Sequence, residues 1–198
     1  ITVSDGITNM WNSGWVESGD SIGIDYKGTA LAPSTEYTIN VSIKDNSNNI
    51  LTAQSTFETG LMGSVSDAKW ISLGSSSGNT NSLPAFRKSF TPKALKSAKL
   101  YTSALGVYDA FINGQRVGKL LGDGTVEYHE LKPGYTEPQK RKFYSSYDVT
   151  HMLNAEQENV LSAEVSSGWW SGSVVGFAKG TTTAFWAKLL LTYTDGTT

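Results

Sequence analysis

Residues 37–44 alternate between apolar and polar side chains, and this period of two constrains the fold more than any other feature of the sequence. Every second residue from Tyr37 to Ile43 is apolar, so these side chains would share one face of an extended strand. The turn-forming stretch DNSNN at 45–49 leads into a second run at 50–57, and together they predict a β-hairpin. No segment sustains a helical period, so we predict an all-β fold.

Further strands are predicted where apolar or β-branched residues recur between turn formers. They lie at 1–4, 22–26, 69–71, 85–91, 97–105, 107–112, 159–165 and 184–193. The dipeptide Asn113-Gly114 favours a type I′ hairpin turn between two short strands. Asp148 and Thr150 can cap a short helical turn over 150–153, which is the one helix that we expect.

The length and one interruption of the pattern predict two modules. A β-sandwich of the immunoglobulin or fibronectin type uses roughly 100 residues, so 198 residues suffice for two small sandwiches. The stretch GLMGSVS at 60–66 breaks the strand pattern. We therefore place β-sandwich modules at 1–62 and 67–198.

Charge and composition exclude several classes of function. The net charge is −2 and the largest basic cluster is the run 140–142, so nucleic acid is not an expected partner. The longest apolar run, around Leu190, falls far short of the roughly 20 residues that cross a bilayer. The absence of cysteine excludes disulfides, thiolate nucleophiles and zinc ribbons, but it does not separate cytoplasm from periplasm.

Several motifs together carry a family resemblance. They are NSGWVES at 12–18, FETGLM at 57–62, SAKLYTSALGVYDAFINGQRVG at 97–118, LKPGYT at 131–136, YDVT at 147–150 and SGWWSG at 167–172. In this order they resemble the N-terminal accessory region of bacterial α-L-rhamnosidases of glycoside hydrolase family 78. The resemblance implies a partial fibronectin type III-like domain over 1–62, its first strand missing, and a jelly-roll or galactose-binding-like sandwich over 67–198.

The same resemblance implies a non-catalytic role for this chain. In these enzymes the catalytic glutamates lie in an (α/α)6 barrel that follows the β-modules, so we expect a piece of a longer rhamnosidase that is not itself an enzyme. The implied partners are rhamnose-containing oligosaccharides or glycosides and the catalytic domain of the parent chain. We expect a periplasmic or extracellular bacterial location. Two alternatives stay open: a purely structural spacer, and an adhesion-type interaction module with no sugar ligand.

Four residues are candidates for carbohydrate contact. Trp169 and Trp170 come first, because an indole face can stack on the C–H surface of a sugar while its N–H finds a partner. Strand alternation predicts that one of them turns into the core and the other faces a loop. Tyr135 in LKPGYT and Asp109 in the strand 107–112 complete the set. The alternatives for Asp109 are a buried, paired carboxylate and a position at the edge of the sandwich.

A calcium site is a further expectation from the resemblance. Some rhamnosidase domains of this kind bind rhamnose through calcium, held by adjacent Asp and Asn residues in the loop after the RVG motif. Here that loop, 119–131, departs from the pattern and offers Asp123, Glu127 and Glu130 without such a pair. Calcium takes about six to eight oxygen ligands, so Asp123 is a candidate ligand that would need many others. We expect no other cofactor.

Overall fold

The computed structural model of the 198-residue chain describes residues 1–65, 67–73, 83–171 and 180–198. The chain divides into two compact units, Ile1–Ser66 and Asp67–Thr198, here called the first unit and the second unit. Antiparallel β-strands dominate both units, which confirms the predicted all-β class. Within the described ranges, no helix has the length and apolar character needed to cross a membrane.

The first unit is built on one four-stranded antiparallel sheet in its described residues. Its strands are β1 (Thr2–Ser4), β2 (Asn9–Asn12), β3 (Glu36–Lys44) and β4 (Ile50–Glu58), in the order β2-β1-β3-β4. The predicted hairpin is confirmed, because β3 and β4 pair from Glu36↔Glu58 to Lys44↔Ile50. Asp45 closes its turn: Oδ1 accepts hydrogen bonds from the backbone N–H groups of Ser47 and Asn49, both at 2.8 Å.

The strand predicted at 22–26 is wrong. Gly23 has a φ of 72°, a left-handed conformation that interrupts an extended backbone. The apolar residues beside it face solvent, with Ile22 87% and Ile24 53% exposed. The segment instead contacts the sheet through Tyr26, whose ring packs edge-to-face against Trp11 of β2 with ring centroids 5.3 Å apart. Its apolar residues therefore supply no face of a strand.

The second unit contains two main sheets that enclose a core. Its strands are β5 (Ala85–Phe90), β6 (Leu95–Leu105), β7 (Val107–Ile112), β8 (Gln115–Arg116), β9 (Lys119–Leu120), β10 (Val126–Glu127), β11 (Ser145–Asp148), β12 (Asn159–Ser166) and β13 (Ala184–Tyr193). One sheet has the order β11-β6-β13, the second β5-β12-β7-β8, and β10 and β9 form a small ribbon. Leu100, Tyr147 and Phe185 of the first sheet join Ala110 and Ala163 of the second in one buried apolar cluster. This layered arrangement is a β-sandwich.

The period-two pattern placed most of these strands correctly. In β7, Tyr108, Ala110 and Ile112 are all at most 3% exposed, and the residues between them are less buried. The strand predicted at 69–71 is wrong, because only Ile71 is paired. It exchanges two backbone hydrogen bonds of 2.9 Å with Phe185, which makes a single bridge rather than a strand.

The Asn113-Gly114 turn has the predicted type I′ character, with φ of 52° and 81°. The Asn113 side chain also makes three hydrogen bonds that the turn itself does not require. Its side-chain NH2 donates to Met152 O at 3.0 Å and to Asn159 Oδ1 at 2.9 Å, and its Oδ1 accepts from Val160 N at 2.9 Å. The hairpin tip is thereby joined to the start of β12.

The described residues contain two short helical turns, one more than expected. A 3-10 turn at Thr150–Met152 lies in the predicted place, and Asp148 Oδ1 accepts from Thr150 N at 3.0 Å. The Thr150 hydroxyl does not cap this turn but accepts from Ala98 N of β6 at 2.9 Å. The second turn, α1 (Gly168–Ser171), contains the tryptophan pair.

Candidate functional site

A cleft opens in the second unit where three chain segments meet. The C-terminal end of β6 with Gly106 forms one side, the connection between β10 and β11 forms another, and α1 forms the third. The space in the cleft, together with the open solvent at its mouth, is about 390 Å³. Its described lining residues are Ala104, Leu105, Gly106, Pro133, Gly134, Tyr135, Thr136, Pro138, Lys142, Trp169 and Trp170. We call it the aromatic cleft.

The backbone at α1 determines where the two tryptophans lie. β12 ends at Ser166, and Gly168 then adopts a φ of 46° that L-residues rarely take. A Cβ at Gly168 would collide with the Val107 side chain, so glycine is required there on steric grounds as well. Consecutive residues of a helical turn point about 100° apart rather than to opposite sides. Trp169 and Trp170 are accordingly both half-buried, and the prediction of one core and one loop-facing tryptophan is wrong.

Trp170 is a fixed wall of the cleft. Its indole Nε1–H donates to the Thr182 carbonyl at 2.8 Å, and its own carbonyl accepts from Gly180 N at 3.0 Å. A Cβ at Gly180 would overlap the six-membered ring of Trp170, so that ring lies directly against the Gly180 backbone. These contacts hold the indole from one side.

Tyr135 and Trp169 meet across the cleft. Their ring centroids are 6.5 Å apart at an interplanar angle of 71°, an edge-to-face contact. Tyr135 is 56% exposed, so most of its ring surface stays open to solvent. The loop that carries it is fixed to β7 by a 3.1 Å hydrogen bond from Tyr108 N to Lys132 O. The structure thus brings together three of the four residues predicted for carbohydrate contact.

Two small residues, Ala104 and Gly106, line the side of the cleft formed by the end of β6. Gly106 has a φ of 136°, and a Cβ there would collide with the Ser166 carbonyl oxygen of β12. Glycine therefore allows the β6–β7 connection to run close to β12, below α1. Together with Ala104, it leaves open the space between the aromatic rings.

Asp109, the fourth predicted residue, is not among the residues that line the cleft. Arg116 Nε donates to Asp109 Oδ1 at 3.0 Å, and the Lys132 ammonium lies 3.2 Å from the same oxygen, as an ion pair rather than an aligned hydrogen bond. Arg116 also makes a bidentate contact with Glu130, with N–O distances of 2.9 and 2.8 Å. We call these four residues the charged network.

Contacts within and beside the charged network shift the pKa values of several side chains. Hydrogen bonding from Arg116 holds the pKa of Glu130 below its ordinary value, and Glu130 in turn raises the pKa of Arg116. Lys132 is only 2% exposed, and its ammonium lies 5.4 and 5.8 Å from the ring centroids of Tyr108 and Tyr147. Burial raises the pKa of both tyrosine hydroxyls, so they stay neutral beside this cation.

Asp123, the candidate calcium ligand, lies in a turn that its own side chain closes. Its Oδ1 accepts from the backbone N–H and the hydroxyl of Thr125, at 3.0 and 2.6 Å, in an exposed turn between β9 and β10. These hydrogen bonds lower the pKa of Asp123. Glu130 of the same loop is engaged by Arg116. Within the described ranges, no three His, Cys, Asp or Glu side chains group closely enough to hold a metal ion.

Sequence reasoning missed two features of this region. Lys142 lines the aromatic cleft, where its ammonium donates to the Pro138 carbonyl at 2.7 Å. In the sequence, only the basic run 140–142 drew attention to Lys142. Lys132 is a buried cation next to the predicted residue Tyr135, and nothing in its local sequence distinguishes it from a solvated lysine.

Comparison with known proteins relates both units to one group of enzymes. Residues 93–198 match the family described as "Alpha-L-rhamnosidase N-terminal domain". Residues 1–63 match "Rha78A-like, N-terminal immunoglobulin domain". We had expected a fibronectin type III-like module there, and both are sandwiches of immunoglobulin-like architecture.

Individual relatives carry the same description. The chain is 39% identical over 108 residues to an α-L-rhamnosidase of Streptomyces avermitilis, covering 53% of this chain and 10% of the relative. It is 27% identical over 191 residues to an α-L-rhamnosidase of Formosa agariphila, covering 84% of this chain and 19% of the relative. The crystal structure of the native α-L-rhamnosidase from Aspergillus terreus superposes with a TM-score of 0.79 at 28% identity, over 99% of this chain and 23% of that one. The chain therefore spans less than a quarter of the length of these proteins.

Proposed function

The chain belongs to the α-L-rhamnosidase N-terminal domain family, and we propose that it serves as a non-catalytic accessory region of an α-L-rhamnosidase that binds rhamnose-containing glycans in the aromatic cleft. The observation that carries this proposal is the convergence of Tyr135, Trp169 and Trp170 on one open space. A deoxyhexose presents C–H groups and a methyl group, and aromatic rings supply an apolar surface for them.

The rigidity of the cleft supports a binding role. Trp170 is held by its indole N–H and by the Gly180 backbone, and the Tyr135 loop is tied to β7. Rings held in place before the ligand arrives lose little conformational entropy on binding. The cleft is therefore preorganised for contact with a sugar.

The carboxylates of the second unit support a non-catalytic role. A glycosidase needs two carboxyl groups about 5 to 9.5 Å apart, one of them kept protonated by a raised pKa. The acidic pair in the charged network, Asp109 and Glu130, shares the guanidinium of Arg116, and the pKa of Glu130 is lowered. Arg116 therefore favours the ionised form of Glu130, which does not suit the proton donor that a glycosidic oxygen needs.

Calorimetry tests the proposal directly. Titration of the 198-residue chain with methyl α-L-rhamnoside should give heat with a dissociation constant in the millimolar range, about −4 kcal/mol. Trp169→Ala should weaken binding about twofold to tenfold, since contact with one aromatic ring contributes roughly 0.5–1.5 kcal/mol.

The matched control is Trp15→Ala. Trp15 is 63% exposed and lies in the first unit, so the same substitution there should leave the titration unchanged. A flat titration of the unmodified chain at tens of millimolar sugar would refute the proposal and leave the structural spacer as the better account.

A further inference from the structure

One side of the aromatic cleft carries a positive charge. Lys142 lines the cleft, and its ammonium donates to the carbonyl of Pro138, another lining residue, at 2.7 Å. This hydrogen bond holds the ammonium at the backbone of a loop that lines the cleft. An ammonium has three N–H donors, so the contact with Pro138 leaves two for a ligand.

The neighbouring sequence strengthens this charge. The segment 137–142 contains the cations Lys140, Arg141 and Lys142 and the single carboxylate of Glu137, so it has a formal charge of +2 in a chain whose net charge is −2. No Asp or Glu occurs among the described residues that line the cleft. The cleft therefore offers an approaching ligand a local positive field, against the overall charge of the protein.

Lys142 differs from the two cations of the charged network in the partner that its side chain contacts. Arg116 and Lys132 both have carboxylate partners within 3.2 Å. Among the described residues, the polar contact of the Lys142 ammonium is with a neutral carbonyl, which does not balance its charge. A ligand with an anionic group would supply the missing partner, next to rings that accept the apolar face of the sugar.

We propose that the aromatic cleft selects glycans in which rhamnose is accompanied by an anionic group, a uronate carboxylate or a sulfate ester, and that Lys142 binds this group. The inference rests on the proposed function, since it assigns a ligand class to the same cleft. Lys142 would act as a specificity residue: the rings contact the sugar, and the ammonium distinguishes charged glycans from neutral ones.

The test compares matched ligands on the 198-residue chain. The probes are a rhamnosyl-uronate disaccharide with its carboxyl-reduced neutral analogue, and L-rhamnose monosulfate with L-rhamnose. Each is titrated calorimetrically at low and high salt. We expect the uronate or the sulfate to bind about threefold to fivefold more tightly than its neutral counterpart, as a partly exposed ion pair allows. The preference should shrink at high salt, because screening weakens exposed charge pairs. Which charged probe is preferred identifies the source of the anion.

Three variants assign the effect to one side chain. Lys142→Met should bring the ratio of the affinities for the charged and the neutral probe close to one, and Lys142→Arg should retain most of that ratio. Lys140→Met is the control, because Lys140 lies in the same loop but does not line the cleft. Equal affinity of the unmodified chain for the charged and neutral probes would overturn the inference and leave the proposed function intact. Failure of every probe to bind would overturn both.

Discussion

The charged network and the aromatic cleft both contain residues that the sequence predicted for sugar binding. The side chains of the network are paired with one another, whereas a ring of the cleft is open to solvent. In the charged network, Asp109 and Glu130 are held by Arg116, and Asp109 also pairs with Lys132. In the cleft, Tyr135 keeps more than half of its surface open. Polar groups that already have partners contribute to the fold, and groups that are anchored but exposed are available to a ligand.

The difference in burial explains why the two regions should respond differently to mutation. Lys132 is almost fully buried, and the Asp109 carboxylate 3.2 Å away offsets the cost of burying its ammonium. The rings of Tyr135, Trp169 and Trp170 in the cleft do not belong to the main buried apolar cluster of the second unit. We therefore expect changes in the network to alter stability and changes in the cleft to alter binding.

The largest effect is expected from Asp109→Ala. The substitution leaves the buried Lys132 ammonium without its counter-charge, which should reduce the free energy of unfolding of the second unit by about 3 kcal/mol. Chemical denaturation measures this, and Lys132→Met in the same chain should recover much of the loss. Sugar binding should be unaffected while the protein is folded. Loss of sugar binding in a folded Asp109→Ala variant would place Asp109 in the binding site and contradict the assignment of the charged network to stability alone.

A smaller but double effect is expected from Gly168→Ala. The Cβ would strain a positive φ and collide with Val107, so α1 should shift, with a cost of about 1–3 kcal/mol and weakened sugar binding. Gly114→Ala is the matched control: its φ is also positive, at 81°, but its Cβ would meet open space. That variant should lose about 1 kcal/mol and bind sugar normally. Equal effects of both variants on binding would argue against a role for α1.

The smallest effect concerns pH. Arg116 depresses the pKa of Glu130, so the stability that Glu130 contributes is present above its ordinary pKa and is lost as the pH falls through the depressed value. The second unit should therefore unfold more easily on acidification from about pH 6 to about pH 3, and Glu130→Gln should reduce this dependence slightly. Thermal unfolding at each pH measures it. An identical pH dependence in the variant would show that the ion pair contributes nothing measurable.

The strands could be predicted because alternation and turn residues are local signals. In β7, inward and outward residues alternate as the sequence indicates, and Asn113-Gly114 forms the turn that its composition favours. The failed strand at 22–26 shows the limit of this reasoning. Its apolar residues satisfied the pattern, but a left-handed Gly23 prevents an extended backbone.

The cleft was predictable in its residues but not in its geometry. Aromatic residues in family motifs pointed to Tyr135, Trp169 and Trp170, but they are 34 residues apart along the chain, from Tyr135 to Trp169, and only the tertiary fold brings them together. The direction of the tryptophans depends on the positive φ of Gly168, which ends the alternation of β12. The pairing of Asp109 with Lys132 likewise depends on a contact between β7 and a distant loop.

The central claim is that the aromatic cleft, and not the charged network, binds rhamnose. Its most direct test is a titration of the isotope-labelled chain with methyl α-L-rhamnoside, followed by NMR of the indole N–H groups and of the Arg116 side chain. The account predicts saturable shifts of the Trp169 and Trp170 indole signals, with Trp15 and Arg116 unchanged. Shifts confined to Arg116, or no shift of either cleft tryptophan at saturating sugar, would contradict it.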